Sequence, residues 1–110
     1  LEKVLSKNNF DTITADDGKA GYKKVIEIKP NAIIVDFLLP DMNGFDFINK
    51  IQTELVDNHY NPVFILLSDK ETEEDLFKAN LTGIRDVMVD PIDAKKILEV
   101  INKRLLERIS

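Results

Sequence analysis

The chain has 110 residues, 44% of them hydrophobic and 32% charged, with a formal net charge of -5 and no cysteine. That length suits one domain, residues 1–110, around a single core and leaves no room for a second. The composition excludes a disulfide framework, a thiolate metal site and a membrane span, which needs about 20 consecutive apolar residues, and the negative balance argues against nucleic-acid binding by this domain.

Along the chain, helical and strand patterns alternate, which argues for a parallel sheet covered on both faces. Leu1 to Ser6 reads as the last turns of a helix, and Phe10 to Ala15 as a short strand. Asp16-Asp17-Gly18 is a turn that starts a helix over Lys19 to Lys29, stopped by Pro30. Ala32, Ile33, Ile34 and Val35 form a continuous apolar run, the mark of a strand buried on both faces. Phe45, Ile48, Ile51 and Leu55 recur at helical spacing, so a helix is expected from about Phe45 to Leu55. Pro62 introduces a strand from Val63 to Leu67, ending at Ser68. Glu71 to Leu81 is helical with an acidic first turn, which suits the positive end of the helix dipole. Thr82-Gly83 closes it, Asp86 to Val89 is a strand, and Asp93 caps a final helix reaching about Ile109. There is no internal repeat, linker or low-complexity segment.

The segment richest in chemistry is AIIVDFLLPDMNG, from Ala32 to Gly44. Asp36 sits where a parallel strand leaves the sheet, the place where open α/β folds put their ligands. Pro40 follows four residues later and Gly44 eight later, stiffening the loop and then permitting a tight start to the next helix. Fifteen residues separate Ser68 from Gly83, and eight more lead to Pro91.

With those intervals, the chain resembles the receiver domain of two-component response regulators over nearly its whole length. The resemblance implies a flavodoxin-like doubly wound parallel sheet that acts as a phosphorylated switch. Asp36 would then be the phospho-acceptor and a ligand of a divalent cation, Mg2+, to which Leu38 offers its backbone carbonyl. Ser68 would donate a hydrogen bond to a phosphoryl oxygen, although a register placing Leu67 there is also open. The implied partners are a sensor histidine kinase or a phosphotransfer protein, and the implied location is the cytoplasm. The chemistry is that of aspartyl-phosphate formation: a carboxylate nucleophile, with cations to neutralise the anionic group in flight.

Three departures from the family pattern stand out. Receivers have a central first strand ending in a pair of acids that help bind the cation, and this chain reads as beginning inside the first helix. That N-terminal strand is therefore expected to be absent, through truncation or because another segment replaces it; nothing in the remaining sequence is adapted to such replacement. Second, the residue before Pro91 is Asp90, where receivers carry a lysine that pairs with the phosphoryl group. Two unit charges about 5 Å apart interact by roughly 3 kcal/mol at an effective dielectric near 20, so reversing the sign could swing the energy by about twice that. Third, Val87 stands where receivers usually have an aromatic residue that swings on phosphorylation, and valine is too short and too stiff at χ1 to do so. By resemblance, the Asp90–Pro91 bond is expected to be cis.

These departures keep a second function in view, a phosphate-independent pseudo-receiver that binds a protein or dimerises. The final helix carries Lys95, Lys96, Lys103, Arg104 and Arg108 beside Ile97, Leu98, Ile101 and Leu105, and the helix before it opens with Glu71, Glu73, Glu74 and Asp75. Opposite-sign faces of this kind can pair in a homodimer, with Lys95, Val87, Asp90 and Pro91 on the switch or interface surface. Enzymatic activity is not expected. A haloacid-dehalogenase-type phosphatase needs a second acid where this chain has Leu38, and no Gly-rich phosphate loop follows a strand. His59 reads as a surface loop residue, Lys70 as an exposed loop lysine, and Asp90 as a strand-end turn residue.

Overall fold

A computed structural model describes residues 14–68, 86–89 and 93–107. In these, three strands and three helices follow in the order α1 (Gly18–Ile28), β1 (Ala32–Asp36), α2 (Gly44–Glu54), β2 (Val63–Ser68), β3 (Asp86–Val89) and α3 (Ala94–Glu107). The strands form one parallel sheet in the order β1-β2-β3, with Ile33 beside Phe64, Val35 beside Leu66, and Leu66 beside Val87. Every expected element within the described residues is present, to within a residue or two at its ends. The expected helices at Leu1–Ser6 and Glu71–Leu81, and the question of an N-terminal strand, lie outside the described residues, as does most of the expected strand at Phe10–Ala15. Its last two residues, Thr14 and Ala15, are described and carry no strand pairing. No helix among the described residues is long and apolar enough to cross a membrane.

Local chemistry accounts for the helix ends. The Asp17 carboxylate caps α1 by accepting from the Ala20 amide at 2.7 Å. At the other end Lys29 adopts a left-handed conformation (φ 50°), its N–H donating to the Val25 carbonyl, and Pro30 forbids further helix. Asn43 caps α2 through the Asp46 amide at 2.8 Å, and Asp93 accepts from the Lys95 amide at 2.9 Å at the start of α3.

Both sheet faces are covered, as the continuous apolar run of β1 implies. On one face Ile33, Val35 and Leu66 pack with Val25 of α1 and with Phe45, Phe47, Ile48 and Ile51 of α2. On the other, Val63, Ile65 and Met88 pack with Ile97 and Ile101 of α3, with Ile34 at the margin. Burying a residue such as Ile65 or Ile97 in full contributes about 1.5–3 kcal/mol, so the alternating contacts of β2 hold both layers. An ion pair joins α3 to the start of β3. Arg104 grips Asp86 with Nε–Oδ2 at 2.9 Å and Nη2–Oδ1 at 3.0 Å, a two-pronged geometry that only guanidinium offers. Of the basic residues expected on the last helix, Arg104 is thus committed to Asp86 and Glu107, while Lys95, Lys96 and Lys103 stay exposed, and Ile97 and Ile101 face the core.

Candidate functional site

Because the strands are parallel, their C-terminal ends lie together along one edge of the sheet. Asp36 is the last residue of β1, and its side chain is exposed although the strand behind it is packed on both faces. It pairs with Leu67, and Ser68 lies one residue further on, at the end of β2 beside Val89. Ser68 is the one buried polar side chain among the described residues, at 5% exposure. The pairing brings Asp36 and Ser68 to the same edge.

Beyond Asp36 the chain makes a narrow hairpin. The Phe37 amide donates to the Leu67 carbonyl at 2.7 Å, the Leu39 amide to Met42 at 3.1 Å, and the Gly44 amide to Phe37 at 2.7 Å. Leu38 and Asn43 face each other across this loop as an antiparallel bridge. Those bonds occupy the carbonyls of Phe37 and Met42 and leave the Leu38 carbonyl outside the bridge, while its side chain is 73% exposed.

Gly44 has a specific reason to be glycine. A Cβ there would stand 2.6 Å from the Asp36 carbonyl oxygen, 2.6 Å from Leu66 Cδ1 and 3.1 Å from Phe37 Cα. The start of α2 thus lies flat against the end of β1, and the edge-on contact of Phe37 and Phe45 rings, 5.4 Å between centroids, closes the apolar side of the loop.

Sequence reasoning missed Asp41. Its Oδ1 accepts from the Gly18 amide at 2.8 Å and its Oδ2 from the Lys19 amide at 3.0 Å. The Gly18 amide first and foremost, with that of Lys19, holds the Asp41 carboxyl below the usual carboxylate range. Nothing in the sequence around Pro40 signals this role, because the partners of Asp41 lie more than twenty residues upstream.

Of the other expected site residues, Val87 lies opposite Leu66 and packs, half-buried, against the α1–α2 side of the core. Lys95 is exposed in the first turn of α3. Asp90, Pro91 and the bond between them, together with Lys70 and Gly83, lie outside the described residues. His59 belongs to a turn in which the Asp57 carboxylate accepts from the His59 amide at 2.7 Å and the Tyr60 amide at 2.8 Å. That turn leads into β2, at the opposite end of the strands from Asp36, so His59 is no part of this edge.

Among the described residues, no group of three acidic, histidine or cysteine side chains could hold a metal. The exposed Asp36 carboxylate and the backbone carbonyl of Leu38 are hard oxygen donors, the chemistry that Mg2+ takes while keeping several waters.

Comparison with known proteins gives a consistent result. Residues 1–102 match the response regulator receiver domain family. Protein PilH of Pseudomonas aeruginosa is 28% identical over 102 residues, covering 93% of this chain and 83% of that protein. The phosphate regulon transcriptional regulatory protein PhoB of Escherichia coli is 30% identical over 107 residues, covering 97% of this chain and 45% of PhoB. Among solved structures, the receiver domain of a Francisella response regulator superposes with a TM-score of 0.83 at 20% identity, covering 99% of this chain and 86% of that one.

Proposed function

The chain belongs to the response regulator receiver domain family, and from that premise we propose that Asp36 is its phospho-acceptor. A receiver domain is a signalling module rather than an enzyme, it implies a histidine kinase partner, and the family typically depends on Mg2+. The observation that carries the reading is the exposed Asp36 carboxylate at the end of a buried strand, on the edge where Ser68 also ends.

In the reaction an Asp36 carboxylate oxygen attacks phosphorus and forms an O–P bond. The bond from phosphorus to the donor breaks, and the leaving group, a phosphohistidine nitrogen of a sensor kinase or phosphotransfer protein, departs with the electron pair. Ser68 donates a hydrogen bond to a phosphoryl oxygen. Gly44, by lying against the Asp36 carbonyl, fixes the backbone from which the carboxylate projects. When bound by Asp36 and the Leu38 carbonyl, Mg2+ would supply positive charge against the phosphoryl oxygens. The cytoplasm is where such a partner kinase presents its phosphohistidine.

A phosphate-independent pseudo-receiver, binding a protein or a second copy through the β3–α3 surface that bears Lys95, is the second reading. It is favoured by Val87, which is packed into the core layer rather than free to swing, and by Asp90 in place of the family's lysine.

Intact-mass spectrometry after incubation with Mg2+ and a small acyl phosphate separates the two. One phosphoryl group on the full chain, absent from an Asp36→Asn variant, is the expected result. A folded chain that takes up none would overturn the phospho-acceptor reading in favour of the second.

A further inference from the structure

The loop that carries Asp36 and Leu38 is held at both of its ends. At the sheet, its bonds run from Gly44 to Phe37 and from Leu39 to Met42. At its tip, Asp41 takes the amides of Gly18 and Lys19, and Met42 lies so close to Gly18 that a Cβ there would fall 2.7 Å from its Sδ. Asp17 takes the Ala20 amide, and the Gly21 amide makes the first bond within the helix, to the Asp17 carbonyl at 3.0 Å. Helix α1 therefore starts with two of its otherwise unpaired donors satisfied by a residue of the Asp36 loop, supplied across more than twenty residues of chain.

We propose that Asp41 is a positioning residue, tying the loop of Asp36 and Leu38 to the N-terminus of α1 so that the two become ordered together. The proposal deepens the phospho-acceptor reading and rests on it for its consequence. Leu38 lies between two fixed points, the Phe37 amide bonded to β2 and the Asp41 clamp on α1, and its carbonyl is aimed by whatever holds that span. Freeing Asp41 removes the hydrogen bonds at the tip and leaves the hairpin held by its base and by the apolar packing of Leu39 and Met42. Coupling of this kind is reciprocal: whatever orders the Leu38 carbonyl also tightens Asp41 on α1.

The test compares the full chain with Asp41→Ala and Asp41→Asn by amide hydrogen exchange read residue by residue. In Asp41→Ala, the amides of Gly18 and Lys19 should exchange about tenfold faster, the size of losing one helix cap. Leu39 and Gly44, whose amides bond to Met42 and Phe37 rather than to Asp41, should speed up as well, while Ile34 and Leu66 in the strands stay protected. Asp41→Asn, with one carbonyl in place of two carboxylate oxygens, should fall between. In a Mg2+ titration followed by the Leu39 amide shift, Asp41→Ala should need severalfold more metal. If Gly18 and Lys19 alone accelerate, Asp41 is only a helix cap and the proposal falls. Should Asp41→Ala fail to fold, the same comparison in Asp41→Asn decides. A parent chain that accepts no phosphoryl group would sink the phospho-acceptor reading, yet the exchange pattern would still decide whether the tie exists.

Discussion

Replacing Gly44 with alanine tests the link between backbone packing and the Asp36 edge. The added Cβ would meet the Asp36 carbonyl oxygen and Leu66 Cδ1 at 2.6 Å each and Phe37 Cα at 3.1 Å. Two of those atoms are backbone of β1 and its exit, so no side-chain rotation relieves the contact. Overfilling of this kind costs about 1–3 kcal/mol, and the better helix propensity of alanine returns at most about 1 kcal/mol at a first-turn position. The net loss is about 1–2 kcal/mol, which lowers the urea midpoint of so small a domain by roughly 1 M. Phosphoryl uptake at Asp36 should fall further than stability does, because the displaced atoms are those that aim the carboxylate. Gly18→Ala is the control. Its clash, at 2.7–2.8 Å, is with the flexible end of Met42, which can move aside, so its midpoint should change by less than about a third as much. Equal shifts for the two variants, or an unchanged midpoint in Gly44→Ala, would refute the reasoning that backbone contact at Gly44 sets this corner.

Other predictions concern the core side of the fold. Arg104→Ala leaves Asp86, whose side chain is 12% exposed, without its two-pronged partner, and should cost about 1–2 kcal/mol in urea unfolding. The Asp86→Asn, Arg104→Ala double variant should lose less than the sum, and strict additivity would show the pair is uncoupled. The chain has two tyrosines, and both should ionise above the ordinary phenol value. The hydrogen bond to Glu54 raises Tyr22, and burial pushes Tyr60 up to about 12. The stability that neutral Tyr60 contributes is complete below its unfolded value near 10 and is lost as the pH climbs through about 12. An ultraviolet titration of Tyr22→Phe whose remaining phenolate step fell at the ordinary phenol value would contradict this. Tyr60→Phe, which removes the 2.8 Å bond to the Pro30 carbonyl, should cost about 1 kcal/mol.

Much of this was legible in the sequence, because it depends on neighbours in the chain. The continuous Ala32–Val35 run, the helical spacing of Phe45, Ile48 and Ile51, the stop at Pro30 and the cap at Asp93 are local patterns with local causes, and the structure reproduces each. The strand-end position of Asp36 follows from the same pattern, since a carboxylate after an apolar run cannot stay in the core. Tertiary structure decided the rest. Only the parallel register sets Asp36 beside Leu67 and carries Ser68 to the same edge. Gly44 reads in sequence as freedom to turn, whereas in the fold it is absence of a Cβ against the Asp36 carbonyl. Arg104 reads as part of a cationic face and is drawn instead to Asp86, eighteen residues away. Asp41 carries no sequence signal, yet it accepts from the first amides of a helix that begins 23 positions earlier in the chain. Hydrogen bonds and close contacts between segments distant in sequence leave no periodicity, so a pattern along one dimension cannot register them; they exist only once packing has brought the segments together.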